Sequence, residues 1–308
     1  MSIDFWINVG VLAAIYGIFS LGLQLNVGFT GLANFGQAGF MAIGAYSSGL
    51  LVVDWSWPLW AALLAGIVLA VVAGLFVGVS SLRLRADHFA MATIAFGEIV
   101  RYILQNAEFS GGNQGVLGFD EEWRSFAYWM ASKLSFIGLD KYTQLPLFIT
   151  VSLTFLLLLL VMIMLQHTPW GRVLRGIRED EDATAALGKN IFFYKLQSLA
   201  IAAALAAVAG FFVALNVTYL YPSVFDPTFT FFGYAILVLG GFANYAGVAI
   251  GSMIFWALLE GTRLIDTSLS AGQQASLRFV IVGLSLILLS RWRPQGILGN
   301  LDEMRMRP

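Results

Sequence analysis

The sequence predicts an all-α integral membrane protein of about nine transmembrane segments, within a range of eight to ten. Three observations carry this. First, 59% of the 308 residues are hydrophobic and only 11% are charged, with a mean hydropathy of +0.80; soluble domains carry roughly 25% charged residues. Second, the apolar residues fall into runs of membrane-crossing length. The hydrocarbon layer is about 30 Å thick and a helix rises about 1.5 Å per residue, so about 20 apolar residues suffice. Third, the basic residues gather in alternate connections between those runs.

The candidate spans cover residues 5–25, 36–53, 58–80, 89–105, 145–166, 195–217, 229–246, 249–265 and 275–290. Leu145–Leu165 contains no charge, and residues 196–225 and 227–259 are interrupted only by Asp226. The second and seventh spans are short and glycine-rich, which suits broken or re-entrant segments. Met1–Phe5 lacks a basic residue and the first apolar run is long enough to span, so no secretory leader is expected. One domain covers residues 1–308, with an extracytoplasmic loop at 106–144 and a cytoplasmic loop at 167–194.

Orientation follows from the basic residues. With nine alternating crossings, residues 81–88, 167–194 and 291–308 lie on one side and hold eleven of the 17, counting Lys195 at the edge. Arg124, Lys133 and Lys141 lie on the other side, and Arg101, Arg263 and Arg278 lie in or at the ends of spans. The N-terminus is therefore expected outside and the C-terminus in the cytoplasm. Trp6, Trp55, Trp57, Trp60, Trp170 and Trp292 fall near expected interfaces, where aromatic belts form.

A pattern F-G-x-A-x5-G occurs at Phe35-Gly36-Gln37-Ala38 with Gly44, and again at Phe232-Gly233-Tyr234-Ala235 with Gly241. The copies open spans two and seven, which run in opposite directions. That is what an inverted-topology repeat produces, with the substrate path between repeats beside interrupted helices. Chance matching among abundant Gly, Ala and Phe is the alternative. The polar, small-residue stretches around Gly31, Asn34, Gly36 and Gln37, and around Gly240, Gly241 and Asn244, admit two uses. Irregular backbone at membrane depth can line a water-filled path, or small residues can simply let helices approach closely.

Charges at membrane depth are functional candidates. Glu98 and Arg101 lie three residues apart in span four, and Glu260 and Arg263 do so in span eight. At that spacing each acid can pair with its base on one helical face. Both pairs sit toward the expected outer end, where they suit either a polar vestibule or self-neutralised pairs that ease insertion.

In residues 167–194 the apolar positions Val173, Leu174, Ile177, Ala183, Ala186 and Leu187 recur at helical spacing amid charges that include Arg172, Arg175, Arg178, Glu179, Asp180, Glu181 and Asp182. Asp182 near a helix start and Gly188 at its end describe a short amphipathic cytoplasmic helix. The outer loop carries Glu108, Asp120, Glu121, Glu122 and Asp140 against three bases, and a turn cluster Ser110–Gly115. No G-x-x-x-x-G-K-[ST] phosphate loop occurs, there is no cysteine, and the two histidines, His88 and His167, are far apart. No catalytic residue, metal, cofactor or nucleic-acid partner is therefore expected.

Five stretches, in order along the chain, resemble the branched-chain amino-acid ABC permease family and are most similar to its LivM-type subunit. They are Leu21–Tyr46, Leu82–Arg101, the Gly111–Gly115 turn, Arg175–Asn190 and Leu237–Gly251. The resemblance implies import of branched-chain or other neutral amino acids across the bacterial cytoplasmic (inner) membrane by alternating access. It implies four kinds of partner: a second homologous permease subunit, two cytoplasmic ABC ATPase subunits, a periplasmic substrate-binding protein and the lipid bilayer. Asp182-Ala183-Thr184 with Gly188 is similar to the ATPase-contacting loop of importer permeases, with Asp for the usual Glu and Thr for the second Ala. The coupling segment then comprises Arg178 through Ala183 and Gly188. The expected path residues are the two polar stretches with Tyr46, Glu98, Arg101 and Glu260.

The rival reading within the same family is a permease for urea or short-chain amides; a sugar permease is more distant. A stand-alone secondary transporter or channel would function without ATPases and calls for an isolated intramembrane acid, whereas the acids here are self-paired.

Overall fold

The computed structural model of the chain describes residues 3–135, 141–264, 271–293 and 295–299. Every described element of length is a helix; the only β-feature among the described residues is an isolated bridge between Val116 and Leu220. The helices are α1 (Ile3–Leu23), continued by a π-helical turn (Gln24–Phe29), α2 (Gln37–Trp55), α3 (Leu59–Ser81), α4 (Ala86–Asn106), α5 (Glu121–Leu134) and α6 (Leu145–His167). They continue with α7 (Pro169–Glu179), α8 (Glu181–Ala186), α9 (Ile191–Val217), α10 (Pro227–Gly240), α11 (Tyr245–Gly261) and α12 (Ala271–Trp292).

Six helical segments among the described residues are long and apolar enough to cross a membrane: Ile3–Phe29, α2, α3, α6, α9 and Pro222–Gly240. The other three expected spans are helices that fall short on one criterion each. The 21 residues of α4 include Asp87, Glu98 and Arg101. At 17 residues α11 is short, and the 22 residues of α12 include Arg278 and Arg291. The expected seventh span, 229–246, is not continuous. Its helix stops at Gly240, Gly241 takes a φ of +111°, and a new helix begins at Tyr245. Hydropathy could not locate this break because both sides are apolar; the Gly-Gly pair and Asn244 mark it.

Helices α9 and α1 form the core, with 78% and 72% of their apolar windows buried, whereas α3 and α6 are peripheral at 33% and 28%. Small residues explain the difference. Lipid tails are as apolar as leucine, so helices associate through close packing rather than water exclusion. A Cβ on Gly210 of α9 would stand 2.1 Å from the Met41 carbonyl oxygen of α2, and one on Gly44 would stand 2.4 Å from Ala207 Cα. By contrast Leu64, Val68, Val72 and Phe76 of α3 recur every fourth residue and are all exposed. This is the apolar stripe of a helix that faces hydrocarbon.

The connections sort into two ends. At one, the segment around Val116 pairs with Leu220, Tyr219 donates to the Gln114 carbonyl at 2.7 Å, and Glu122 accepts from Leu59 N at 2.7 Å. Asp120 pins α5 there through a bidentate pair with Arg124 at 2.8 and 2.9 Å, which raises the guanidinium pKa further. At the other end the π-helical turn, the α3–α4 connection, α7, α8 and the Gly241–Asn244 break come together.

The F-G-x-A motifs occupy different places in their helices. Gly36 is the N-cap of α2, whereas Gly233 lies inside α10, which starts at Pro227. The second copy therefore does not open its helix as expected, and the motif by itself does not align two repeats.

Candidate functional site

The two glycine-rich breaks and the 167–194 connection converge on the end that holds α7 and α8, whereas Tyr46, Glu98, Arg101 and Glu260 lie away from it. The site begins where α1 loosens into a π-helical turn, Gln24–Phe29. Single π turns inside α-helices are common at functional positions. Polar side chains hold this one. Thr30 Oγ1 donates to the Leu25 carbonyl at 2.9 Å and lies 2.8 Å from Ser198 Oγ, which also reaches Asn26 Oδ1 at 3.0 Å. Gln24 Nε2 spans to the other glycine-rich break, donating to the Gly241 and Asn244 carbonyls at 3.1 Å each. Gln24 Oε1 and Asn26 Nδ2 are buried and unpartnered. Native structures rarely leave buried polar atoms unpaired, so both mark a place that other conformations or ligands can use.

After Gly31, at φ +74°, the chain crosses Asn34 to reach α2. Asn34 Oδ1 accepts from Gly36 N at 3.0 Å, its Nδ2 donates to Gln37 Oε1 at 2.9 Å, and its carbonyl accepts from Tyr234 Oη at 2.9 Å. Gln37 Nε2 donates to the Ala202 carbonyl at 2.9 Å. Thr93 Oγ1 accepts from Phe35 N at 3.1 Å, and Thr230 Oγ1 from Ala38 N at 3.2 Å. Asn34 and Gln37 are fully buried. In this conformation they are the knot that ties the start of α2 to α4, α9 and α10, and they face no open channel. Gly36 belongs to the same knot, since a Cβ there would meet the Thr93 carbonyl at 2.2 Å.

The second break mirrors this chemistry. Asn244 Oδ1 caps α11, accepting from Ala246 N at 2.9 Å and Gly247 N at 3.3 Å, while its Nδ2 donates to the Leu298 carbonyl at 2.7 Å. Gly240 packs on Gly247, where a Cβ would stand 2.0 Å from a carbonyl oxygen. Both breaks meet through Gln24 and through Phe29, whose ring stacks on Tyr245 at 4.7 Å.

The connection 167–194 folds as two helices, not the single helix expected to start near Asp182. Thr168 caps α7 by accepting from Gly171 N at 3.3 Å. Asp180 breaks the helix and caps α8, accepting from Ala183 N at 2.9 Å. The capping acid is therefore Asp180, because its extended backbone leaves the carboxylate facing the free N–H groups, while Asp182 lies inside the first turn of α8. Gly188, at φ +76°, follows the last turn. Leu174 and Ile177 pack inward as the spacing predicts, but Leu187 is 80% exposed. Glu179, Asp180, Glu181, Asp182, Ala183 and Gly188 are exposed as well.

Two arginines of α7 grip the π turn. Arg178 Nη1 donates to the Gly28 carbonyl at 2.6 Å, and the Arg175 guanidinium lies 5.2 Å from the centre of the Phe29 ring. Trp170 Nε1 ties α7 to α9 through Gln197 Oε1 at 2.8 Å, and Glu181 of α8 pairs with Lys195. Sequence reading placed Arg178 in the coupling segment but missed its target, because the partner is a backbone carbonyl 150 residues away.

Glu98 and Glu260 do pair with the bases three residues on, as their spacing predicts. Arg101 Nη2 lies 2.5 Å from Glu98 Oε2, with both side chains partly exposed. Glu98 also borders a small cleft with Phe35, Gly39 and Pro227. Arg263 Nε lies 2.9 Å from Glu260 Oε2, but its N–H is not aimed well enough to make a hydrogen bond. Glu260 is 4% exposed, and one turn earlier Trp256 Nε1 is buried without an acceptor. Tyr46 Oη is buried and unpartnered too. Sequence reading missed Trp256 because an indole N–H in an apolar helix looks like core packing. The described residues contain no group of three or more His, Cys, Asp or Glu side chains able to hold a metal ion.

Sequence comparisons identify the family of the chain. The family described as branched-chain amino acid transport system / permease component matches residues 5–290. The chain is 33% identical over 307 residues to the high-affinity branched-chain amino acid transport system permease protein LivM of Escherichia coli K12, covering 95% of this chain and 69% of that protein. It is 26% identical to the probable branched-chain amino acid transport permease protein LivM of Methanocaldococcus jannaschii, covering 97% of this chain and 94% of that protein. It is 24% identical to the nucleoside ABC transporter permease protein NupC of Lactococcus lactis, covering 84% of each. No solved structure matches.

Proposed function

The chain belongs to the branched-chain amino acid transport system permease component family, and from that membership we propose that it is the membrane-spanning subunit of an ATP-driven importer for branched-chain or other neutral amino acids. Members of this family are transport permeases, so the chain moves its substrate without chemical change. In this reading it works with a second homologous permease subunit, two cytoplasmic ATPase subunits and a periplasmic binding protein. All nine long helices cross the bilayer, with the N-terminus outside and the α7–α8 end in the cytoplasm. Support for the orientation is the charge: Arg83, Arg85, Arg172, Arg175, Arg178, Lys189 and Lys195 all belong to that end.

The observation that carries the mechanism is the Arg178 bond to the Gly28 carbonyl at 2.6 Å. The exposed rim of α8, with Glu181, Asp182, Ala183, Gly188 and the Leu187 side chain, docks on an ATPase. When the ATPases close, α7 moves, and Arg178 and Arg175 carry the π turn with it. Gln24 transmits the shift to Gly241 and Asn244, so both glycine-rich breaks move together. A π turn that rewinds to α rotates the backbone beyond it, which would free the Asn34–Gln37 knot and open the cytoplasmic mouth between Gly31, Gly36 and Gly240. Glu98, Arg101, Glu260 and Tyr46 then serve as polar waypoints for a zwitterion farther out. Alternating access by such rigid-body shifts is the common transporter solution.

Uptake of labelled leucine in cells with and without the gene tests the reading, with unlabelled neutral and acidic amino acids, urea and a nucleoside as competitors. Loss of ATP-dependent leucine uptake on deletion, competed only by neutral amino acids, is the expected result. Competition by the nucleoside would move the substrate toward that of the Lactococcus relative, and loss of urea uptake alone would move it to amides. Uptake that persists without the ATPase subunits would remove the importer mechanism.

A further inference from the structure

A cavity of about 440 Å³ lies at the α7–α8 end, where the α3–α4 connection meets the start of α9. Its wall includes Arg83, Arg85, Lys195, Glu181 and Phe89, and on one side the Gly31–Ala33 stretch, so it adjoins the proposed cytoplasmic mouth. Glu181 is occupied by its ion pair with Lys195. Neither Arg83 nor Arg85 has a carboxylate within ion-pair distance among the described residues. Arg83 is instead oriented by the Phe192 ring, with its guanidinium carbon 5.8 Å from the ring centre. The cavity thus holds two uncompensated guanidiniums beside one neutralised pair. Helix α4 starts at this wall with Asp87 in its first turn, so its N-terminus adds no net positive charge and the anion-binding groups are the two guanidiniums.

The helices that leave this cavity are apolar and exposed. Phe76 (72%) and Val79 of α3 approach the connection, Leu84 lies within it, and Met91 and Ile94 of α4 lead away from it. Leu84 belongs both to the cavity wall and to this exposed apolar set, so a positive pocket flanked by apolar helix faces matches a phospholipid, with the headgroup at one end and acyl chains along the other. Basic pockets between membrane helices at the cytoplasmic surface are a recognised form of anionic-lipid recognition.

We infer that Arg83 and Arg85 bind the phosphate headgroup of an anionic phospholipid in this cavity. Planar guanidiniums suit phosphate because two N–H groups can engage two oxygens. The lipid would brace the α3–α4 connection against the Glu181–Lys195 pair, beside the helix that docks the ATPase. Assignment to the cytoplasmic leaflet rests on the orientation proposed above; the binding itself does not.

The test uses the purified transporter complex in nanodiscs of phosphatidylcholine alone or mixed with phosphatidylglycerol. Phosphatidylglycerol retained after detergent extraction and delipidation is measured by mass spectrometry. Each basic residue at an anionic surface contributes roughly fivefold, so the Arg83→Ala/Arg85→Ala pair should retain at least about tenfold less. Arg83→Lys/Arg85→Lys should retain most of it. If the double alanine variant does not fold, Arg83→Gln and Arg85→Gln singly should each show a smaller loss. Equal retention by wild type and variants would overturn the inference. Displacement by inorganic phosphate alone would assign the cavity to a soluble anion instead. Unchanged retention with loss of the ATPase subunits on gel filtration would make the arginines a protein-docking surface. Retention is read without transport, so a failed leucine-uptake experiment and a failed lipid experiment are distinguishable.

Discussion

Gln37 shows how one side chain can be expected for one purpose and placed for another. Its amide joins α2 to α9 through the Ala202 carbonyl and accepts from Asn34, and no part of it is exposed. Gln37→Ala would leave the buried Asn34 Nδ2 without its acceptor, at about 1–3 kcal/mol, while the Ala202 carbonyl, inside α9, keeps its helical bond. The expected outcome is a clearly lowered melting temperature of the detergent-solubilised complex; an unchanged one would show that water already reaches this knot. Arg178 acts differently, since its target is a carbonyl at the surface of the core. Arg178→Ala should lower leucine uptake about tenfold or more while leaving ATPase binding and basal hydrolysis in place, because a charge-assisted bond is worth about 1.5–3 kcal/mol. Equal loss of uptake and of ATPase binding would move Arg178 from transmission to docking.

At the scale of elements, caps decide where α7 and α8 begin. Asp180 ends α7 and starts α8, so Asp180→Ala should weaken α8 by about 1 kcal/mol. Hydrogen exchange at residues 181–186 should quicken while α7 stays protected; equal protection would mean that the Thr184 and Lys195 contacts suffice. Leu187, exposed at the end of this element, should bury against the ATPase. Leu187→Asp should therefore weaken assembly without changing the melting of the isolated permease subunit. The α2–α9 pair depends on backbone approach, and Gly210→Val would drive a side chain into the Met41 carbonyl, 2.1 Å from the added Cβ. Overpacking of this kind costs about 1–3 kcal/mol or more. It should appear as lost monodispersity on gel filtration, and a well-behaved variant would mean that α2 and α9 can separate.

The whole molecule is a bundle in which two buried helices, α1 and α9, are surrounded by helices with exposed apolar faces. The chain has no native cysteine, so single cysteines report membrane sidedness directly. Ser132→Cys on α5 should react with an impermeant maleimide in spheroplasts, and Lys189→Cys should react only after permeabilisation. The opposite pattern would invert the proposed orientation, and labelling of both from outside would break the parity of nine crossings.

The membrane class, the place of most long helices and the self-paired acids were legible in the sequence because hydropathy, helical spacing and charge act locally; the bounds of α10 and α11 were not. The family was legible for a related reason: its stretches keep their order along the chain. Three things were decided by tertiary structure. The Gly240-Gly241 pair and Asn244 pointed to an interruption of the seventh span, but its place within a charge-free run came from the backbone. Asp180 rather than Asp182 caps α8 because capping depends on where the carboxylate points, and residue type alone leaves both open. Burial of Asn34 and Gln37, and the bond from Arg178 to Gly28, join residues more than a hundred positions apart. Such contacts depend on how helices pack in lipid, where small side chains and paired polar groups, rather than exclusion of water, set which faces meet.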